Sequence, residues 1–305
     1  MKILVTGGAG FIGSQIVDGY LARGHRVAVV DDLSRGKIEQ VNPAAKFYQA
    51  DLRDLPKMEK IFKTEKPQII NHHAAQIDLR KSLADPMLDA EINILGSLNL
   101  AELCLKSKVK KIIFASTGGA LYGEQDYFPA DEQHPIRPLS PYGIAKRTVE
   151  MYLYYYCRVH RLSYVSLRYS NVYGPRQDPY GEAGVVAIFA QKLWRKKRAV
   201  INGAGGQTRD FVYVEDVVRA NLLALKPGIS GEFNIGTGKE TTVNQIYDLL
   251  SQAIGVKIKP GYGPAKKGEQ MRSALDYRRA KKIIGWQPRI SLGQGLHLTA
   301  QFFKP

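Results

Sequence analysis

The chain has 305 residues, 44% of them hydrophobic, which suffices for one large domain or two unequal ones. No stretch approaches the run of about 20 apolar residues that a helical membrane span needs, and Met1-Lys2 passes directly into "ILVTGG", a first strand rather than a signal peptide. The excess of 44 Lys+Arg over 28 Asp+Glu, a net charge of +16, lies in short runs without interleaved aromatics; this argues against specific nucleic-acid binding and for a solvated surface with a phosphate-bearing substrate.

Taken in chain order, the first half alternates strand and helix. "KILVT" (2–6) is a buried strand, and residues 11–24 have helical periodicity with Gly24 as the stop. "RVAVVDD" and "KFYQAD" are the second and third strands, followed by a helix over about 54–63. "QIINH" is the fourth strand, a long helix covers 87–106, and "KKIIFAS" is the fifth strand. The next helix opens at "SPYGIAK" with Ser140 as N-cap and Pro141 in the first turn. "SYVSLRYSNVYGP" is a sixth strand running into a loop. This alternation predicts an α/β fold with a doubly wound parallel sheet, a Rossmann fold. Beyond about residue 175 the loops lengthen and the helices shorten. The expected division is a dinucleotide-binding domain over 1–175 and a smaller substrate-binding region over 176–305, partly interleaved with the sheet. Cys104 and Cys157 are far apart and lack metal-type spacing, so they read as free thiols in a reducing cytoplasm.

Three motifs carry chemistry. "GGAGFIG" places Gly7, Gly10 and Gly13 between a strand and a helix, where glycines permit a tight turn, close approach to a pyrophosphate and helix–strand packing. Asp31 ends the second strand 18 residues after Gly13; a carboxylate there accepts from both ribose hydroxyls and repels a 2′-phosphate, which favours NAD over NADP. Asp51 and Leu52 end the third strand, where an adenine edge would lie. "YGIAK" sets Tyr142 and Lys146 one helical turn apart, so that an ammonium near the phenol would favour its ionised form and let it act as a base. His72 and His73 read as strand-end histidines rather than as a metal pair, and no metal is expected.

The motifs "TGGAGFIG", "VVDDLSRG", "HHAAQ", "NILGSLNL", "FASTGGALYG", "SPYGIAK", "LRYSNVYGPRQ" and "RDFVYVEDVVRA" occur in this order over essentially the whole chain. In them the sequence resembles the NAD-dependent nucleotide-sugar epimerases of the extended short-chain dehydrogenase/reductase family, most of all those acting at C4 of UDP-glucose and UDP-galactose. The resemblance implies a cofactor site of Gly7, Gly10, Phe11, Ile12 and Gly13 in the first loop, with Asp31, Asp32, Leu33, Ser34 and Gly36 in the second. It adds Asp51 and Leu52, then Ala74, Ala75, Gln76 and Asn93, and finally Ser116, Tyr142, Lys146 and Tyr169. It makes Tyr142, Lys146 and Thr117, with Ser116 beside it, the catalytic groups. It assigns the nucleotide sugar to Thr117, Tyr142, Asn171, Arg209, Lys266, Glu269 and Ser273.

The implied reaction removes the 4-hydroxyl proton through Tyr142 while C4 gives hydride to NAD, turns the 4-keto sugar over, and returns hydride to the other face. It implies a homodimer through the 87–106 and 141–160 helices. Lys266 and Glu269 stand where the family has an arginine and an aspartate, and Ser273 falls at a gatekeeper position where a small side chain would admit an N-acetyl group. Nucleotide-sugar dehydratases carry an Asp-Glu pair after the strand-end threonine; here Gly118-Gly119 follow Thr117, and neither can move a proton. A UDP-uronate-acting relative and a non-catalytic NAD-binding regulator are the remaining alternatives.

Overall fold

The computed structural model describes residues 1–180, 184–265 and 270–305. Along the chain run β1 (Lys2–Thr6), α1 (Phe11–Leu21), β2 (Arg26–Asp31), β3 (Lys46–Gln49), α2 (Leu55–Glu65), β4 (Ile69–His72), α3 (Leu79–Ala84), α4 (Pro86–Ala90), α5 (Gly96–Lys106), β5 (Lys111–Thr117), α6 (Gly119–Tyr122), α7 (Pro141–His160) and β6 (Ser163–Tyr169). There follow β7 (Asn171–Tyr173), α8 (Val185–Trp194), β8 (Val200–Asn202), β9 (Thr208–Arg209), β10 (Phe211–Tyr213), α9 (Val214–Ala224), β11 (Gly231–Ile235), β12 (Thr241–Thr242), α10 (Val243–Ile254), β13 (Gly261–Gly263), α11 (Arg278–Ile284) and α12 (Leu292–Phe302). The chain divides into two interleaved compact units, one of residues 1–121, 138–168 and 218–233, the other of 122–137, 169–217 and 234–305.

The first unit is built on the seven-stranded sheet β11-β6-β5-β4-β1-β2-β3. The pairs β1–β2, β2–β3, β1–β4 and β4–β5 are parallel, so the sheet is doubly wound as the alternation predicts. Strand order reverses between β1 and β4, the switch point at which such sheets open a crevice at their carboxyl ends. Alternate strand residues Leu4, Val30, Ile70, Ile112 and Phe114 pack against Met58 and Phe62 of α2, Leu100 and Leu103 of α5, and Val149 and Leu153 of α7. Two local differences from the sequence reading stand out. The helix expected over 87–106 is one continuous run in which Glu91–Leu95 forms a π-turn between α4 and α5. The expected sixth strand breaks at Ser170: β6 stays in the main sheet, whereas β7 pairs with β10. The seventh strand, β11, was not anticipated; "GEFNI" is short and lies in the long-loop half of the sequence.

In the second unit α8, α10 and α12 pack on one another. Buried carboxylates tie its loops. Asp210 accepts from Thr237 N–H, Gly238 N–H and Leu275 N–H, and Asp216 accepts from Arg289 and Ile290 N–H. Each replaces backbone pairing that the irregular loops cannot supply internally.

Leu100 is 1% exposed and faces the sheet. Leu100→Ala is expected to lower the unfolding free energy by about 3 kcal/mol, read from the urea midpoint. A loss below about 1 kcal/mol would show that this layer repacks freely.

Candidate active site

The first loop leaves β1 at Gly7, whose φ of +70° is a left-handed value open to glycine and costly for other residues. Gly7 N–H donates to Val30 O at 2.8 Å, which locks the turn to β2. A Cβ at Gly13 would lie 2.1 Å from Gly7 O, so α1 meets the loop only because position 13 has none. Gly10 is the N-cap of α1 and contributes no side-chain hydrogen bond, so no side-chain cap occupies the amide end of this helix.

Asp31 ends β2 with 7% exposure. Its Oδ2 accepts from Ala9 N–H at 3.0 Å and its Oδ1 from Leu33 N–H at 2.9 Å, which leaves acceptor capacity on both oxygens. Burial raises its pKa, and the two backbone donors pull the other way. Leu33 is held at φ +61°, strain of the kind that clusters at ligand sites. Asp32 Oδ1 accepts from Ser34 N–H and Oγ–H, which closes this second loop. Gly36 packs so tightly that a Cβ there would come 2.6 Å from Asp31 Oδ1. Asp51 is engaged by Arg53, whose Nη2 lies 2.6 Å from its Oδ2; the pair holds the Asp51 carboxyl below its ordinary value. Leu52 is buried beside Gly96.

After β4 the backbone at Ala74 comes within van der Waals reach of Gly7, where a Cβ would be 2.5 Å from Ala74 N. Ala75 and Gln76 follow. Asn93, in the π-turn, pairs with the backbone of Gln76 in both directions: its Oδ1 accepts from Gln76 N–H and its Nδ2 donates to Gln76 O, each at 2.9 Å. His72 is a core histidine, with Nδ1 2.8 Å from Thr6 Oγ1 and Nε2 2.9 Å from Ser97 Oγ.

The end of β5 and the start of α7 bring Ser116, Thr117, Tyr142 and Lys146 into the first unit together. Ser140 caps α7 by accepting from Gly143 N–H, as its position predicts, and Ser82 Oγ accepts the Tyr142 N–H at 2.8 Å. Ser116 is 4% exposed; its neighbour Thr117 is half-buried and its Oγ1 accepts from Ala120 N–H at 3.2 Å. Lys146 Nζ donates to Ala115 O at 2.8 Å and lies 4.6 Å from the centroid of the Phe114 ring and 5.7 Å from that of Tyr142. Burial draws the Lys146 pKa down to about 8, against the upward pull of Asp89 and Glu150. Burial pushes the Tyr142 phenol above its ordinary value, and the Asp89 charge pushes it further. This differs from the expectation drawn from the spacing alone. The ammonium is spent on a carbonyl and an aromatic face, so in the protein by itself desolvation outweighs it.

In the second unit, Tyr169 is buried at the end of β6, and Asn171 N–H donates to Asp210 O. Arg209 Nη1 donates to Thr208 O, and Ser273 is 2% exposed. Lys266 and Glu269 lie outside the described residues.

The model of the NAD dependent epimerase/dehydratase family matches residues 3–236. The chain is a member of this family. Among solved structures, a UDP-glucose 4-epimerase of Thermotoga maritima with UDP-glucose is 52% identical, with a TM-score of 0.98 over 100% of this chain and 99% of the other. A UDP-glucose 4-epimerase of Thermus thermophilus in complex with NAD is 44% identical, with a TM-score of 0.95 over 100% and 99%. A UDP-N-acetylglucosamine 4-epimerase of Methanobrevibacter ruminantium in complex with UDP-N-acetylmuramic acid is 34% identical, with a TM-score of 0.93 over 99% and 97%.

Three supports of this epimerase-family site escaped the sequence reading. Ser82 holds the start of the tyrosine helix, and its element, α3, was not foreseen. Asp89 accepts from Gln76 Nε2 and Asn93 Nδ2, both at 3.1 Å; the Asp-x-x-x-Asn spacing on one helix was the available signal. Glu150, one turn beyond Lys146, is 1% exposed and forms a side-on pair with Arg168, Nε–Oε1 3.0 Å and Nη2–Oε2 2.8 Å, with Ser166 Oγ donating at 2.8 Å. Burial opposes the Glu150 charge, but Arg168 and Ser166 outweigh it and hold its pKa below the ordinary value. Its contribution to stability is therefore present above the ordinary carboxyl value and lost as pH falls through the folded value. Arg168→Met leaves this carboxylate with Ser166 and with Arg147, whose Nη1 lies 3.3 Å from Oε2, and is expected to cost about 3 kcal/mol at neutral pH, with the deficit shrinking in acid as Glu150 takes a proton. Urea titrations at several pH values test this; a deficit independent of pH contradicts an electrostatic role.

Proposed function

We propose that the chain inverts C4 of a UDP-hexose, interconverting UDP-glucose and UDP-galactose with tightly held NAD. The observation that carries this reading is the grouping of Thr117, Tyr142 and Lys146 beside Gly118-Gly119, a set with a proton carrier for O4 and no second acid or base for eliminating water. The same absence disfavours dehydration. Retention of all three groups disfavours a non-catalytic NAD sensor.

The residues present fit NAD. The loop from Gly7 to Gly13 has backbone where side chains would stand, the amide end of α1 has no side-chain cap, and Asp31 keeps lone pairs for hydroxyl donors. In this reading Gly7, Gly10, Phe11, Ile12 and Gly13 take the pyrophosphate side. Asp31 takes the adenosine ribose, with Asp32, Leu33, Ser34 and Gly36 around it. Ala74, Ala75, Gln76 and Asn93 line the nicotinamide half. Bound NAD supplies a hydride acceptor for C4 and a positive charge that favours the Tyr142 phenolate. Tyr142 Oη takes the proton of the 4-hydroxyl and later restores it. Thr117 Oγ1 holds O4 by a hydrogen bond, and Lys146 Nζ holds the nicotinamide ribose and keeps a positive charge near the phenol. Asn171 and Arg209 grip the diphosphate; a guanidinium suits two phosphate oxygens. Residues 1–175 thus carry mainly the cofactor and 176–305 mainly the nucleotide sugar.

UDP-GlcNAc and UDP-GalNAc are a second substrate pair, favoured by the small side chain of Ser273. The test is a panel of UDP-sugars with products identified by NMR, using protein that retains its cofactor. Epimerised hexose is expected, with Tyr142→Phe lowering kcat by about 10²–10⁴-fold. A 4,6-dehydrated product, or turnover of UDP-uronates alone, would sink the reading; strict rejection of N-acetyl sugars would remove the second pair.

A homodimer through the 87–106 and 141–160 helices accompanies this reading. Of the four tyrosines in "YLYYY", Tyr152, Tyr154 and Tyr155 are exposed beside Met151 and Val159, whereas Tyr156 is buried with its hydroxyl on Glu102. Exposed apolar surface of this kind marks an interface. No helix among the described residues is long and apolar enough to cross a membrane, and Cys104 and Cys157 are unpaired, which fits the cytoplasm. Light scattering is expected to give the dimer mass, and the double change Met151→Glu with Tyr155→Arg the monomer mass; a monomeric parent protein contradicts it.

A further inference from the structure

We infer that a basic face of the second unit docks the enzyme on the surface of an anionic phospholipid bilayer. The charge that forms this face is segregated along the chain. Residues 184–209 and 249–265 contain no Asp or Glu, yet they carry the run Arg195-Lys196-Lys197-Arg198 and the alternate Lys257 and Lys259. The parallel pairing of β8 with β13 brings the two stretches together, with Val200 beside Gly261, Ile201 beside Tyr262 and Asn202 beside Gly263. Gly261 N–H donates to Ala199 O at 2.7 Å, and Arg198 Nη2 donates to Pro260 O at 3.1 Å. Lys259, two residues before Gly261, therefore lies at the level of Arg198, two residues before Val200. All six cations are exposed, and among the described residues none of them makes an ion pair. Lys46, Lys106, Arg272 and Arg278 differ, since each is paired with a carboxylate.

An apolar side chain stands among these cations. Val200 is 52% exposed and lies over two glycines: a Cβ at Gly261 would be 3.5 Å from its Cγ2, and one at Gly263 would be 3.2 Å from its Cγ1. Arg198 is on the same side, because the Cβ at Gly261 would come 3.1 Å from its Nε. The face thus combines unpaired cations, one aliphatic contact and bare backbone. An anionic bilayer asks for this combination. It attracts each nearby Lys or Arg, accepts an apolar side chain at the headgroup level, and needs no pocket. Long lysine stems reach headgroup phosphates without a fixed geometry. A single-stranded nucleic acid would ask in addition for aromatic platforms on which bases stack. Tyr262 alternates with Gly261 and Gly263, so its ring leaves on the other side of the ribbon, and its hydroxyl donates to Asn244 Oδ1 at 3.3 Å. Trp194, just before the basic run, is half-buried, and its indole N–H donates to Ala300 O. The face includes no residue of the proposed cofactor or sugar site, so docking and turnover are separable.

The test is co-sedimentation of the intact holoenzyme with vesicles of phosphatidylcholine alone, or of phosphatidylcholine and phosphatidylglycerol in equal parts. Apparent affinity is expected to be at least about tenfold higher for the anionic vesicles, and the difference to vanish at about 0.5 M salt. Lys257→Glu with Lys259→Glu is expected to lower affinity for anionic vesicles about tenfold or more while epimerase activity is unchanged. Lys281→Glu with Lys282→Glu makes the same change in net charge on α11 and is expected to leave binding in place. Where the first pair does not fold, Lys196→Glu with Lys197→Glu makes the same test from the other strand's approach. Equal binding to both kinds of vesicle, binding to neither, or equal losses in the α11 control would overturn the inference. Binding of a single-stranded RNA oligonucleotide that anionic vesicles do not displace would overturn it too, and would assign the face to nucleic acid.

Discussion

The site depends on the parallel register of β1, β4 and β5. Thr6 pairs with His72, and His72 with Phe114, so β1 and β4 end on one line, and β5 runs on beyond it to Thr117. The residues just past that line are Gly7, His73 and Ala115, and each starts a segment that the proposed chemistry uses. The glycine loop follows the first, the segment of Ala74, Ala75 and Gln76 follows the second, and Ser116 and Thr117 follow the third. His72 fastens the line from inside through Thr6 and Ser97. A one-residue slip in any of the three strands would turn its terminal side chains to the opposite face.

The second constraint is burial. Lys146 is 4% exposed, and Asp89 and Glu150 are each 1% exposed, in a protein whose surface carries ample charge. Charges of this kind are tolerated in a folded interior when each has partners, and here the partners differ in a telling way. Glu150 is neutralised by an arginine in two-point geometry. Lys146 is held by a carbonyl and an aromatic face. Asp89 is held through a single oxygen. The interior is therefore electrostatically uneven, and the unevenness centres on the tyrosine helix.

The resemblance read from the motifs and the match to the epimerase/dehydratase family agree over most of the chain. Within that family the residues after Thr117 bear most directly on the reaction. Gly118 and Gly119 supply no proton carrier, which in the proposed reading leaves groups for hydride and proton transfer at C4 and no added acid–base pair at this place for eliminating water across C5–C6.

The sequence alone determined the doubly wound sheet, the strand–glycine–helix turn, the Ser140 cap and the pairing of Tyr142 with Lys146, because each depends on periodicity or on neighbours within a few residues. It did not reveal β11, the break at Ser170 or the π-turn at Asn93. Those features are decided by which distant backbone a segment meets: β6 and β11 for the sheet, β10 for β7, and Gln76 for Asn93. The charge environment was also beyond it. A four-residue spacing says that a lysine stands one turn from a tyrosine, but whether the ammonium or desolvation governs the phenol depends on everything packed around both. Only the tertiary structure placed Ala115 O and Phe114 against Lys146, Arg168 against Glu150, and Gln76 against Asp89, because electrostatic energies in an interior are set by burial and by partners distant in the chain.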